Sequence, residues 1–164
     1  MAHTIERAAT GRAKCRGCGA AIAKGFAEHG AAVAIHYFQG EKAAKALAAG
    51  IAKGGGKAVV VGGDVRDAKE STVIAKAAAK ALGGIDVLVN NAGGMVEQVR
   101  LANYSDDIFD QVVNLNIRSV LAVTRAAHAA LKASGHGSII NVGSVAGRNG
   151  GQPGSGIYAA AKAA

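Results

Sequence analysis

Four short runs rich in β-branched and other apolar residues, at 31–37, 57–61, 85–89 and 138–142, are separated by long alanine-rich stretches. None of the four alternates cleanly between apolar and polar, so none reads as a strand with one face in water. Continuous apolar runs belong to strands covered on both faces, as in a parallel sheet with helices on each side. The intervening segments, 19–29, 41–53, 68–82 and 106–133, are long enough to be the crossover helices that parallel strands need. Right-handed βαβ units are the economical connection. Gly30, Gly54 and Gly83 each follow an alanine-rich run, where a residue able to turn left-handed ends a helix. The expected class is therefore α/β with a doubly wound parallel sheet.

The 164 residues suit one domain, taken here as 1–164. Nearly a quarter are alanine and only 4% aromatic, which predicts a core thin for its length. No apolar stretch is long enough to span a bilayer, and Glu6 and Arg7 fall where a signal peptide needs an apolar run. A soluble cytoplasmic protein without a membrane partner is expected. Cys15 and Cys18 have no second pair, so neither a structural metal nor a disulfide framework is expected. The net charge of +8 raises the question of an anionic partner. Its lysines are spread without a basic run and stacking aromatics are scarce, so nucleic acid is not expected.

Several places could carry chemistry. Gly17-Cys18-Gly19 precedes the first helix, where small residues let backbone N–H groups approach a pyrophosphate, or simply form a turn. Asn90-Asn91-Ala92-Gly93-Gly94 follows a buried strand and could lie against a planar ligand or be an ordinary strand-to-loop turn. Asp64-Val65 follows the third strand, to bond an adenine or to cap a turn. Phe109, Val112, Val113, Ile117, Val120 and Leu121 recur at helical spacing as a buried stripe that contains Asn116, either a structural amide or a site residue. The glycine-rich loop 143–156 lies beyond a strand's carboxyl end, where open α/β sheets bind ligands. Tyr158 and Lys162, four residues apart, share a helix face. Alone, such a pair is often an exposed one. With Ser144 on that loop, it points instead to a phenol whose ionised form is favoured by an ammonium, suited to general acid/base work.

RGCG, GGDV, IDVLVNNAGG, VVNLNIRSV, GSIINVGSVAG and YAAAK occur here in the order of the short-chain dehydrogenase/reductase family, and the chain resembles its 3-oxoacyl-carrier-protein-reductase-like members. The resemblance implies a Rossmann-like sheet and reduction of a carbonyl to a secondary alcohol, or the reverse. It makes Tyr158 the proton donor, Ser144 a hydrogen-bond partner of the carbonyl oxygen, Lys162 the ammonium beside the phenol and the nicotinamide ribose, and Asn116 part of a proton relay. It assigns Asp64 and Val65 to the adenine, Asn91, Ala92 and Gly93 to the adenosine side, and Gly11, Arg16, Gly17, Cys18 and Gly19 to the phosphate turn.

The second strand ends in His36-Tyr37-Phe38, without the carboxylate that would hold a ribose 2′-hydroxyl, and Arg16 could meet a 2′-phosphate; NADP is expected over NAD. Two features depart from the family pattern. Thr10-Gly11 stands two residues too far from Gly17, and Glu6-Arg7 would put charge into a central strand unless that strand begins late. The chain also stops two residues beyond Lys162, so the C-terminal strands are missing and a fragment of a longer enzyme is expected. The substrate is a small carbonyl or alcohol, a 3-oxoacyl thioester being one candidate. A homo-oligomer, dimer or tetramer, is expected from Val120, Leu121 and residues 126–131. The alternative is a non-catalytic nucleotide-binding or scaffold protein on the same fold.

Overall fold

A computed structural model describes residues 7–10 and 17–164. Strands β1 (Arg7–Thr10), β2 (Ala32–Tyr37), β3 (Lys57–Gly62), β4 (Val87–Asn90) and β5 (Ser138–Asn141) form one sheet in the order β3-β2-β1-β4-β5, every pair parallel. The strand that the sequence made doubtful is thus the central one. Among the described residues it begins at Arg7. The chain passes from β3 back across to β4 at the β1 edge, and this reversal opens a crevice at the carboxyl ends of β1 and β4.

Helices α1 (Cys18–Glu28) and α2 (Glu41–Lys53) cover one face, packing Ala23, Ala44 and Ile51 on Val33 and Ile35. Helix α3 (Ala68–Leu82) and α5 (Ser119–Ser134) cover the other, where Ala75, Ala127 and Leu131 meet Ile85 and Leu88. Along β4 the side chains divide between the two layers, Val87 and Val89 toward α1 and Leu88 toward α3 and α5. That division is why the run is apolar without alternation. Alanine supplies nearly half of the buried apolar positions, and a cavity of about 40 Å³ remains under α3 beside Ala75 and Ala78.

Local signals set most boundaries. Asp67 caps α3 by accepting from the N–H groups of Lys69 and Glu70, and Gly83 ends it left-handed at φ +76°. After α2 the left-handed residue is Gly55 (φ +84°), one later than expected, because Gly54 keeps φ −81°. The segment expected as one helix over 106–133 is broken. It runs as α4 (Asp106–Val113), a π-helical turn (Asn114–Arg118) and α5.

The wide turn changes which face is buried. Val112, Asn116, Ser119, Ala127 and Leu131 point inward, while Phe109, Ile117 and Leu121 of the expected buried stripe are 46%, 37% and 63% exposed. Within the expected self-association surface, Ala127 and Leu131 therefore belong to the core. β5 is exposed along its length, since no described element lies against its outer edge. A short helix, α6 (Ala146–Asn149), interrupts the glycine-rich loop, and α7 (Gly156–Ala163) follows. Among the described residues no helix is long and apolar enough to cross a membrane.

Candidate active site

Asn116 sits in the π-helical turn, 5% exposed. Its side-chain oxygen accepts from the N–H of Gly94 at 3.0 Å, and its amide donates to the Gly94 carbonyl at 2.8 Å and to the Val112 carbonyl at 2.9 Å. One side chain therefore fixes both polar groups of Gly94 in the loop that leaves β4. A π-turn widens the helix locally and is often found at functional sites. Here it turns a polar group toward the crevice, where a regular helix would have continued an apolar row.

Lys162, on α7, reaches the same place from the opposite side. Its ammonium donates to the Val142 carbonyl at 3.2 Å, and half burial pulls its pKa below the ordinary lysine value. A methyl group on Gly93 would lie 2.7 Å from Lys162 Nζ and 2.8 Å from Asn116 Oδ1. Glycine at 93 thus lets the two polar groups converge on the backbone. Tyr158, one turn before Lys162, lines a cavity of about 520 Å³ with Gly93, Gly94, Met95 and Val145. Ser144 lies in the loop that follows β5, and its hydroxyl oxygen accepts from the Ala146 N–H at 3.2 Å. Ser144 itself does not line the cavity; its neighbours Val145 and Ala146 do.

The crevice continues toward the ends of β2 and β3. No side chain of a described residue caps α1, which begins after Gly17, so its first N–H groups are available to an anion. Gly17, Cys18 and Gly19 stand at this helix start, with Cys18 exposed. Gly11 and Arg16 lie outside the described residues. Asp64 is gripped by Arg66, whose Nε donates to both carboxylate oxygens at 2.9 Å, and that contact holds the carboxyl below its ordinary pKa. The Arg66 guanidinium also stands 4.9 Å from the centre of the Phe38 ring. Val65, Asn91 and Ala92 follow the carboxyl ends of β3 and β4, with Val65 and Asn91 buried.

The description "short chain dehydrogenase" fits residues 9–164. The chain belongs to this family. Among curated relatives, an uncharacterized oxidoreductase of Methylorubrum extorquens is 38% identical over 79% of this chain and 51% of its own. A 3-oxoacyl-[acyl-carrier-protein] reductase of Synechocystis is 38% identical over 90% of this chain and 59% of its own. The chain thus spans between half and three fifths of the curated relatives it matches. Among solved structures, an NADH-dependent reductase bound to NAD superposes with a TM-score of 0.88 at 34% identity, covering 98% of this chain and 68% of the other. A short-chain dehydrogenase of Burkholderia cenocepacia bound to NADP gives 0.87 at 36%, covering 96% and 63%.

Sequence reasoning did not find Arg66, Gln98 or Asn149. Arg66 reads as an ordinary solvated charge, while Gln98 sits in the loop leaving β4 and Asn149 ends the short α6, and the approach of these two amides to Tyr158 has no period to reveal it. The tight contact between Gly147 and α7 was likewise invisible.

Proposed function

We propose that the protein interconverts a carbonyl and a secondary alcohol with NADP, acting as one dinucleotide-binding domain. The observation that carries this reading is the convergence of Lys162 and Asn116 on Gly93 beside the cavity lined by Tyr158. A cofactor fits the residues present: Lys162 Nζ and Asn116 Oδ1 close on the side-chain-free backbone of Gly93 beside the Tyr158 cavity, and the α1 N-terminus offers N–H groups to a phosphate. Gly17, Cys18, Gly19, Asp64, Val65, Asn91, Ala92 and Gly93 would hold it, with Gly11 and Arg16 on the phosphate side. When bound, it supplies or accepts the hydride.

The protein's own work is proton movement and orientation. The Tyr158 hydroxyl gives its proton to the carbonyl oxygen in reduction and takes one from the alcohol in oxidation. Ser144 accepts from Ala146, so its own proton is left to donate to the carbonyl oxygen. Lys162 places a positive charge one turn from the phenol, within the half-buried site, and holds the ribose. Asn116 fixes Gly94 and completes the proton relay.

NADP is favoured by the charges near the end of β2. Glu41, the nearest acid, is paired with Lys45 at 2.7 Å, which takes its carboxylate away from a ribose hydroxyl. Arg66 adds a cation over Phe38. Self-association is proposed through the exposed Ile117 and Leu121, with a small-molecule carbonyl or alcohol as substrate. The test is oxidation of NADPH and of NADH with a panel of ketones. Tyr158→Phe is expected to remove turnover while leaving cofactor binding by thermal shift; a variant as fast as the parent refutes the proposal.

A further inference from the structure

Among the described residues, Val96 alone has a positive φ without being glycine, at +63°. A β-branched side chain crowds its own backbone there, so the conformation persists only where the surroundings over-determine it. Its immediate cause is a three-residue turn. The Glu97 N–H donates to the Met95 carbonyl at 2.8 Å, with Val96 at the centre of the reversal.

Both sides of this turn are held. Before it, Asn116 bonds both polar groups of Gly94, at 3.0 and 2.8 Å. After it, the Gln98 amide donates to the Pro153 carbonyl at 2.8 Å and the Val99 N–H to the Gly154 carbonyl at 3.1 Å. A methyl group on Gly154 would stand 3.0 Å from Gln98 Cγ and 3.3 Å from the Val99 backbone, so residues 94–99 form a strap lying directly on the loop before α7. From that loop the path to the helix is short. The buried Ser155 hydroxyl donates to the Gln152 carbonyl at 2.6 Å, and the Ser155 carbonyl accepts from the Ala159 N–H at 2.8 Å in the first turn of α7. The strap thus runs from the Asn116 clamp to the helix start that carries Tyr158. Met95 and Gln98 line the Tyr158 cavity and Val96 does not, so the valine side chain has no part in the cavity wall.

We infer that Val96 is a positioning residue for proton transfer: its strained turn takes up the slack between Asn116 and the start of α7, and so fixes Tyr158 relative to Gly93. This rests on the reductase reading above and adds a residue that acts through the backbone. The competing account makes the valine methyl groups simple filling. On that account the backbone freedom of the replacement is immaterial, and all small replacements behave alike.

The experiment compares Val96→Gly and Val96→Asn in the full-length protein, with NADPH and a panel of ketones. Both replacements lose the methyl groups and both enter the left-handed region readily, but only glycine also frees the turn to other conformations. Both should melt at or above the parent's temperature, since the strain is relieved. Val96→Gly should lose roughly tenfold in kcat, as a displaced catalytic group does. Its solvent deuterium isotope effect should exceed the parent's, because proton transfer from a less well held phenol becomes the slower step. Val96→Asn should keep the parent's rate and isotope effect. Val96→Gly as fast as the parent, equal losses in the two variants, an unchanged isotope effect in a slower Val96→Gly, or a lower melt in both overturns the assignment, while the parent's turnover leaves the reductase reading standing. A parent that binds NADPH by thermal shift and reduces no ketone of the panel overturns both.

Discussion

Gly147 offers a test of how α7, which carries Tyr158 and Lys162, is held. It lies in α6, away from the cavity wall, yet a methyl group there would stand 2.7 Å from the Lys162 carbonyl oxygen, 2.8 Å from its carbon and 3.0 Å from the Ala163 nitrogen. These are backbone atoms, which cannot swing aside as a flexible side chain can. To restore an ordinary contact of 3.4 Å, α6 and α7 must separate by 0.7 Å, the difference between 3.4 and 2.7. That shift acts on the turn carrying Lys162, whose bond to the Val142 carbonyl is already 3.2 Å long. Overpacking of this kind costs about 1–3 kcal/mol of stability. A displacement near 1 Å at a catalytic group costs on the order of a hundredfold in rate. Gly147→Ala should therefore lower kcat by roughly ten- to a hundredfold and raise KM for the cofactor, since Lys162 also holds its ribose in the proposed reading. Steady-state NADPH oxidation gives the rate and a thermal melt confirms the fold. A folded Gly147→Ala protein with the parent's kcat would refute the argument that backbone contact between α6 and α7 sets the position of Lys162.

Lys162→Met isolates the burial of a charge. Because burial lowers the Lys162 pKa, the folded chain binds fewer protons than the unfolded one between that lowered value and the ordinary 10.5. The penalty is complete below this window, and stability returns as pH rises through it. Urea titrations at neutral pH and near the top of the window should show the parent gaining on Lys162→Met with pH; a constant or falling difference counts against the assignment. Ala78→Val should use the cavity of about 40 Å³ under α3. Two more buried methyl groups contribute about 1.6 kcal/mol, against a helix cost of about 0.6 kcal/mol for valine. The melting temperature should rise by roughly 2–4 °C, and a fall would show the cavity too narrow to fill. Arg66→Ala should weaken NADP more than NAD, measured as the ratio of the two KM values; equal losses would remove Arg66 from cofactor discrimination.

The sequence alone determined the elements whose causes are local. Continuous apolar runs at 31–37 and 85–89, alanine-rich crossovers and the Gly83 stop each act through neighbours within a turn or two, so their spacing is enough to read them. The family likeness and the positions of Tyr158 and Lys162 on one helix face were legible for the same reason, since motif order and an interval of four residues are properties of the chain itself. Only the tertiary structure decided what those residues meet. The central place of Arg7–Thr10 depends on pairing with two strands distant in sequence. The π-turn that brings Asn116 to Gly94 depends on a contact 22 residues away, and the bonds of the Gln98 and Asn149 amides depend on which partners the folded loops offer them. Hydrogen bonds act over about 3 Å and are set by atoms that come together only after the chain has crossed the sheet. No pattern along the sequence carries that distance.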